Sequence, residues 1–436
     1  MTTIVRAQVA HTPRDPSDHD DALQAFSDGA VAFAEGRILA SGDYADVQPR
    51  YPDAEIVDAR DAILLPGFVD CHVHYPQIAV IGAMGLELLD WLRTRTLPEE
   101  TRLADDAYAK HTARTFLRGL ARNGTTTALV FGSHFPGAQE ALFSAAEESG
   151  LRIASGLVVS DRNLLPELHI TPEAAFEASR ALIARWHGRG LLRYAVTPRF
   201  SVSCSEEMLE ACRALGEQAD GLLFTSHLNE NRSEIEFVAE LFRWARDYLE
   251  TYERFGLVHE RSILAHNVHA TDDELRRLAA ARASIAHCPS SNAFLGSGVF
   301  AMRRHLEHGV RFALGTDVGA GTGLSMFKEG LMGYHMQMVS PDGHPLSPAH
   351  ILYLATRAGA AALGLEDEVG DLSAGKSADF VLVRPPQRST LHAVLERSPS
   401  FEAALGALFT LAREESIAEV RVAGRVVADY RDGNSP

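Results

Sequence analysis

What most constrains this 436-residue chain is a rhythm: eight apolar runs, each followed by enough sequence for a helix. The first, "LLPGFVDCHVHYPQ", runs from Leu64 to Gln77. Thr125–Ser133, Arg152–Ser160, Leu192–Ser201 and Leu222–Glu230 follow, then Ser262–His269, Ser284–Asn292 and Arg311–Gly319. Between them stand helical patterns such as "DDAYAKHTARTFLRGLARNG" and "SEEMLEACRALGEQAD". Continuous apolar strands that alternate with helices belong to a parallel sheet. Eight such units close into a barrel. The fold class read here is therefore α/β, a (β/α)8 TIM-type barrel, and the uneven spacing of the runs predicts elaborated loops.

The two ends read differently. "VAFAEGRILASG" (Val31–Gly42) alternates around Glu35-Gly36, and "VRVAGRVVADY" (Val420–Tyr430) alternates around Ala423-Gly424. Both patterns predict β-hairpins. Hairpins at both ends imply a small β-sandwich domain assembled from the termini, residues 1–65 plus 370–436, beside a barrel domain of residues 66–369. "AGKSADFVLVR" (Ala374–Arg384) is the strand expected to re-enter it. The polar stretch from His11 to Asp21 and the last few residues are expected to lack fixed structure.

Composition narrows the partners. Hydrophobic content of 46% with 23% charged residues is ordinary for a globular chain. A net charge of −17 disfavours nucleic acid and anionic membranes, and leaves a small-molecule substrate as the expected partner. "MTTIVRAQVAHTPRDPSD" lacks the apolar core of a signal peptide. Cys71, Cys204, Cys212 and Cys288 are scattered without CxxC pairing, as expected of small buried residues in a reducing cytoplasm.

The chemistry gathers at the ends of the runs. A strand alternates faces with period two, so His72 and His74 point to one side. One buried histidine is usually a hydrogen-bonded core residue, whereas a His-x-His pair closing an apolar strand suits a metal. Functional side chains of a barrel sit at the C-terminal ends of its strands. Arg199, His227, Glu230, His266 and Asp317 fall there. Zinc takes imidazole and carboxylate ligands and keeps a position for water in catalytic sites. His72, His74, His227 and Asp317 are the expected metal ligands, with His266 close enough to bond the water. A second metal would call for a bridging lysine at the end of the fourth run, but the chain's only lysines are Lys110, Lys328 and Lys376. One metal per chain is expected. The H-x-E and P-C-x-x-C signature of the other zinc deaminase architecture is absent.

"PGFVDCHVH", "HLNEN", His266 and "GTD" together resemble the amidohydrolase superfamily, in its mononuclear zinc aminohydrolase branch. Within that branch the chain is similar, over nearly its full length, to the guanine deaminase family. "HYPQ", "LLDWLRTRTLPEE", "NGTTTALVF", "TPRFSVSCSEEML", "SHLNENRSEIE", "AHCPSSNAFLGSG" and "GTDVGAGTGLSM" carry that likeness. One departure is Cys71, where a Thr or Ser is common; it should face away from the metal.

The resemblance implies hydrolysis of guanine to xanthine and ammonia by a zinc-activated water, with iron suiting the same His3Asp set. Asp317 would take the water's proton, His266 would hold the water, and Glu230 would protonate the ring at N3. Gln77 and Arg199 would bind the ring's polar edge and Phe200 would pack on its face. A homodimer is the implied assembly. The nearest alternative is a related enzyme acting on a pterin, an oxidised purine or an s-triazine, decided by Gln77 and Arg199; a non-catalytic scaffold would have lost ligands. His134 and His287 are secondary candidates, Trp91 reads as a packed anchor, and Met326, Met332, Met336 and Met338 read as core.

Overall fold

The computed structural model describes residues 1–429, whose strands fall into two sheets. The chain opens with β1 (Thr3–His11), β2 (Gln24–Ala34), β3 (Arg37–Asp43) and β4 (Glu55–Pro66). It continues through β5 (Phe68–His74), β6 (Thr125–Phe131), β7 (Arg152–Gly156), β8 (Val158–Val159) and β9 (Arg193–Pro198). Then come β10 (Leu223–Leu228), β11 (Ser262–His266), β12 (Ser284–His287) and β13 (Arg311–Leu314). It ends with β14 (Phe380–Val383), β15 (Ile417–Val422) and β16 (Arg425–Asp429).

Strands β5 to β13 form the barrel, all pairs parallel, in the order β5-β6-β7-β9-β10-β11-β12-β13, with β8 paired to β9. Every residue of β5, β6 and β7 is buried, which is why their sequences lack a polar alternation. The seam between last and first strands closes just beyond β13: Asp317 N donates to His72 O at 2.8 Å, and His74 N donates to Val318 O at 2.9 Å. The Asp70 carboxylate adds a staple there, accepting from Thr316 N at 3.0 Å and Thr316 Oγ1 at 2.5 Å. The barrel therefore closes on the strand that carries the two histidines.

The expected runs are longer than the strands they contain, as the third, seventh and eighth illustrate. The third divides after Gly156, where a Cβ would lie 1.8 Å from the Ala195 carbonyl oxygen; the chain approaches its neighbour too closely for a side chain. The seventh stops at His287 because Pro289 begins a short helix, Pro289–Phe294. The eighth stops at Leu314.

Residues 75–124 form an elaborated connection between β5 and β6. Its helix Asp106–Arg122 starts where the Asp105 side chain accepts from Tyr108 N at 2.7 Å. Ala109, Ala113, Phe116, Leu117 and Leu120 recur at helical spacing and are buried. Phe116 meets the Tyr75 ring, centroids 6.2 Å apart, so this helix backs the end of β5. Burying one such side chain contributes about 1.5–3 kcal/mol, and Phe116→Ala would cost about 3–5 kcal/mol.

The termini pair into one seven-stranded sheet, ordered β16-β15-β14-β4-β1-β2-β3. Both expected hairpins are present, with Glu35, Gly36, Ala423 and Gly424 all at positive φ, as primed turns require. In a flat sheet β14 and β2 would be about 14 Å apart, three strand spacings. Yet the Phe33 and Phe380 rings meet with centroids 5.8 Å apart. The sheet thus curls over a shared apolar cluster that includes Val5, Val31, Leu64 and Leu382. Tyr430, the end of the expected second hairpin, and the final residues expected to lack structure lie outside the described residues.

Two expectations are corrected. His11 is not in a loose segment: it ends β1, is buried, and its Nδ1 accepts from Leu372 N at 3.2 Å. An Asx turn follows, with Ser17 N donating to Asp15 Oδ1 at 2.8 Å. Polar composition hid this anchoring. Of the four methionines, Met326 is fully buried, but Met338 is 56% exposed. In the helix Met326–Val339 the buried stripe runs through Met326, Gly330, Gly333 and Gln337, so Met338 falls on the solvent side.

Candidate active site

The C-terminal mouth of the barrel gathers four possible ligand atoms within 4.8 Å of one another, from His72, His74, His227 and Asp317. His72 Nε2 and His74 Nε2 are 3.0 Å apart, and Asp317 Oδ1 lies 3.3 Å and 3.1 Å from them. His227, from β10, uses Nδ1 on the Arg199 carbonyl oxygen at 2.6 Å, which turns its other nitrogen toward the cluster. Burial lowers the pKa of all three imidazoles, to about 4 for His74, and so favours their neutral forms. Burial pushes Asp317 the other way. Hydrogen bonds from His72 and His74 and the field of His266 outweigh it, holding this carboxylate well below its ordinary value.

Backbone conformation aims two of the groups. His266 (φ 73°) and Asp317 (φ 47°) are both in the left-handed region. Non-glycine residues there cost on the order of 1–3 kcal/mol and persist where surrounding structure holds them. His266 is held by Nδ1 against Asn292 Oδ1 at 2.9 Å. Its Nε2 is buried without a hydrogen-bond partner, 3.5 Å from Glu230 Oε2 and 3.8 Å from Asp317 Oδ2. Glu230 accepts from Ser297 Oγ at 3.3 Å. Burial, reinforced by the Asp317 charge, raises the Glu230 pKa well above the usual carboxylic value. Two carboxyls in one site are thus driven apart, one ionised and one poised to carry a proton.

These groups floor a partly open pocket whose walls include Gln77, Leu88, Trp91, Arg199, Phe200 and Leu295. Trp91 packs with Leu88, Leu295 and Ala320, so it anchors the β5–β6 connection and also walls the cavity. All the expected substrate-side residues, Gln77, Arg199 and Phe200, reach this space together. His134 and His287 do not. His134 lies behind Glu100, its Nε2 3.5 Å from Glu100 Oε2. His287 is buried against Phe300, ring centroids 4.4 Å apart, and burial lowers its pKa to about 3. Cys71 turns its sulfur toward the Gly359 carbonyl, away from the ligand cluster. All four cysteines are free and buried.

Glu100, in the short helix Leu97–Thr101, did not emerge from the sequence. It accepts from Arg199 Nη1 at 3.0 and 2.7 Å and from Gln77 Nε2 at 2.8 Å. Burial works to raise this carboxyl, but Arg199 first, then His134 and Gln77, hold it far below its ordinary range. Asp70, in "PGFVDCHVH", and Asn292 and Ser297, in "AHCPSSNAFLGSG", are the other supporting residues, to which the sequence assigned no role. In "LPEE" nothing separates Glu100 from Glu99; the one available signal was that a buried Arg199 needs a counter-charge.

With this geometry in place, sequence comparison is decisive: the Amidohydrolase family model matches residues 63–427. This chain belongs to the amidohydrolase family. Residues 29–54 also match an imidazolonepropionase-like composite domain of bacteria. This amidohydrolase is 56% identical over 430 residues to a probable guanine deaminase of Deinococcus radiodurans, covering 97% of this chain and 98% of the relative. Its fold superposes on the solved Escherichia coli guanine deaminase with a TM-score of 0.93 at 36% identity, covering 98% and 99% of the two chains. The guanine deaminase of C. acetobutylicum, solved with guanine bound in its active site, gives a TM-score of 0.90 at 26% identity, covering 98% and 100%.

Proposed function

We propose that this amidohydrolase converts guanine and water to xanthine and ammonia, using one zinc ion per chain. The observation that carries the reading is the meeting, in one pocket, of the three-histidine and aspartate cluster, the proton-poised Glu230, and the Gln77–Arg199 edge. The 56% identical probable guanine deaminase and the 36% identical guanine deaminase support the same substrate.

The residues present fit the metal. Two ligand atoms at 2.0–2.1 Å from a tetrahedral zinc would be about 3.3 Å apart. The measured separations among His72, His74 and Asp317 are 3.0, 3.1 and 3.3 Å. His72, His74, His227 and Asp317 would hold it, and iron would suit the same donors. Zinc supplies Lewis acidity that lowers the pKa of a water from 15.7 toward about 7.

The chain's own groups carry out the remaining chemistry. The Asp317 carboxylate takes the proton of the attacking water. His266 Nε2 holds the water oxygen on course for C2. Glu230, protonated at rest, gives its proton to N3 and makes C2 electrophilic. Asp317 then passes its proton to the amino nitrogen, the C2–N bond breaks and ammonia leaves, while the hydroxyl on C2 gives its remaining proton to Glu230 as the C2 carbonyl of xanthine forms and N3 keeps the proton it received. Gln77 and Arg199 orient the polar edge, while Phe200 and Trp91 exclude water from the ring faces.

The domain division at residues 66–369 for catalysis, with 1–65 and 370–436 as the β unit, belongs to this reading, as do a cytoplasmic location and a homodimer. Among the described residues no helix is long and apolar enough to cross a membrane. The test is the ultraviolet absorbance change of guanine becoming xanthine, run beside a panel containing a pterin, an oxidised purine and an s-triazine. Guanine should be the fastest substrate. A pterin or triazine turned over faster would refute the assignment.

A further inference from the structure

The two side chains assigned to the substrate's polar edge are both tied to a third that does not itself reach the cavity. Glu100 is 3% exposed and is absent from the cavity wall, yet it accepts from Arg199 and from Gln77 at once. On the far side Gly319 N donates to Gln77 Oε1 at 3.0 Å. A carboxylate can only accept and a backbone N–H can only donate. The Gln77 amide therefore has one allowed orientation, with its nitrogen toward Glu100 and its oxygen toward Gly319. One N–H remains for a ligand. Glu100 engages Arg199 through Nη1 alone, and among the described residues no side-chain hydrogen bond occupies Nη2.

We propose that Glu100 is a positioning and specificity residue, which fixes Arg199 and the Gln77 amide so that both present N–H donors to the C6 oxygen of the purine. The inference rests on the guanine reading above and deepens it. Glu100 neutralises Arg199 without consuming the donor that a ligand needs, so a neutral carbonyl can be bound without an anion being drawn in. His134, with Nε2 3.5 Å from Glu100 Oε2, supports the carboxylate from behind. An adenine-type amino group at C6 would face donors on both sides.

The experiment compares guanine with 2-aminopurine, which lacks the C6 oxygen, on wild type, Glu100→Gln, Arg199→Met and the double variant, each loaded with zinc. Gln at position 100 can still accept from Gln77 but brings no charge to Arg199. Glu100→Gln should lower kcat/KM for guanine by about 10- to 100-fold, chiefly through KM, the scale of one charge-assisted hydrogen bond. The loss on 2-aminopurine should be smaller by about tenfold or more, because there is no oxygen to orient toward. Adding Glu100→Gln to Arg199→Met should lower guanine turnover by less than about threefold, since the partner it positions is already gone. That last comparison stands even if the single Glu100→Gln variant fails to fold, because the double variant buries no unpaired arginine. Equal losses on both substrates, or a further tenfold loss in the double variant, would overturn the inference. A wild type inactive on guanine would overturn the functional reading and this inference with it, whereas active wild type with equal losses overturns the inference alone.

Discussion

Arg199→Met should make the protein's stability depend on pH in a way the wild type's does not. Arg199 and Glu100 are each 4% exposed at the side chain, and Nη1 contacts both carboxylate oxygens. Removing one partner of such a pair costs about 3–5 kcal/mol, because the other charge is left buried and unpaired. The sign follows from the carboxyl left behind. In the wild type Glu100 is held below its unfolded pKa, about 4.3. Its contribution is therefore fully present above about pH 4.3 and is lost only as pH falls through the depressed folded value. In the variant the largest lowering influence, Arg199, is gone, and burial, the largest influence of all, is opposed only by the weaker contacts of His134 and Gln77. Glu100 should then have a folded pKa above the unfolded one. It destabilises at alkaline pH and ceases to do so as protonation neutralises it. Urea unfolding of both proteins, zinc-loaded, at pH 8 and pH 5.5 isolates this, since the pH response of the metal ligands is common to the pair. The deficit of the variant should approach about 3–5 kcal/mol at pH 8 and shrink at pH 5.5. A deficit below about 1 kcal/mol at both values, the range of an exposed ion pair, would refute the reasoning.

Glu230→Gln should keep its zinc by elemental analysis yet lose about 10²–10⁴-fold in kcat, the usual contribution of a positioned proton donor; activity within a few-fold of wild type would mean that another group is the acid. His72→Ala and Asp317→Ala should each lose both zinc and turnover, and a variant that stays fully active would remove that residue from the ligand set. 2,6-Diaminopurine, which keeps the C2 amino group, should be deaminated at C2 at least about 10⁴-fold less efficiently than guanine, because its C6 amino group leaves buried donors unpaired. Comparable rates on the two purines would show that Arg199 does not read C6.

Much of this was legible in the sequence because barrel geometry turns position along a strand into position in space. His72, His74, His227, His266 and Asp317 end apolar runs, and run ends converge at one mouth. The terminal hairpins were legible through their turn residues, Glu35-Gly36 and Ala423-Gly424. What stayed hidden depends on contacts between distant segments. Glu100 lies 99 residues from Arg199, in a connection whose sequence shows only two adjacent glutamates. Asn292 and Ser297, which orient His266 and Glu230, come from the connection after β12 and look like ordinary loop residues. Strand ends were overestimated in "SIAHCPSSN" because composition does not register that Pro289 opens a helix. His11 read as loose because its burial depends on Leu372, 361 residues away.

The central claim is that one metal ion, held by three histidines and an aspartate, activates water for attack on guanine. Zinc titrated into exhaustively chelated protein, with guanine loss followed by ultraviolet absorbance at each addition, tests it most directly. The account predicts negligible turnover at the start, a linear rise, and a plateau at one zinc per chain. Full activity before any zinc is added, or a plateau reached only at two per chain, would contradict it.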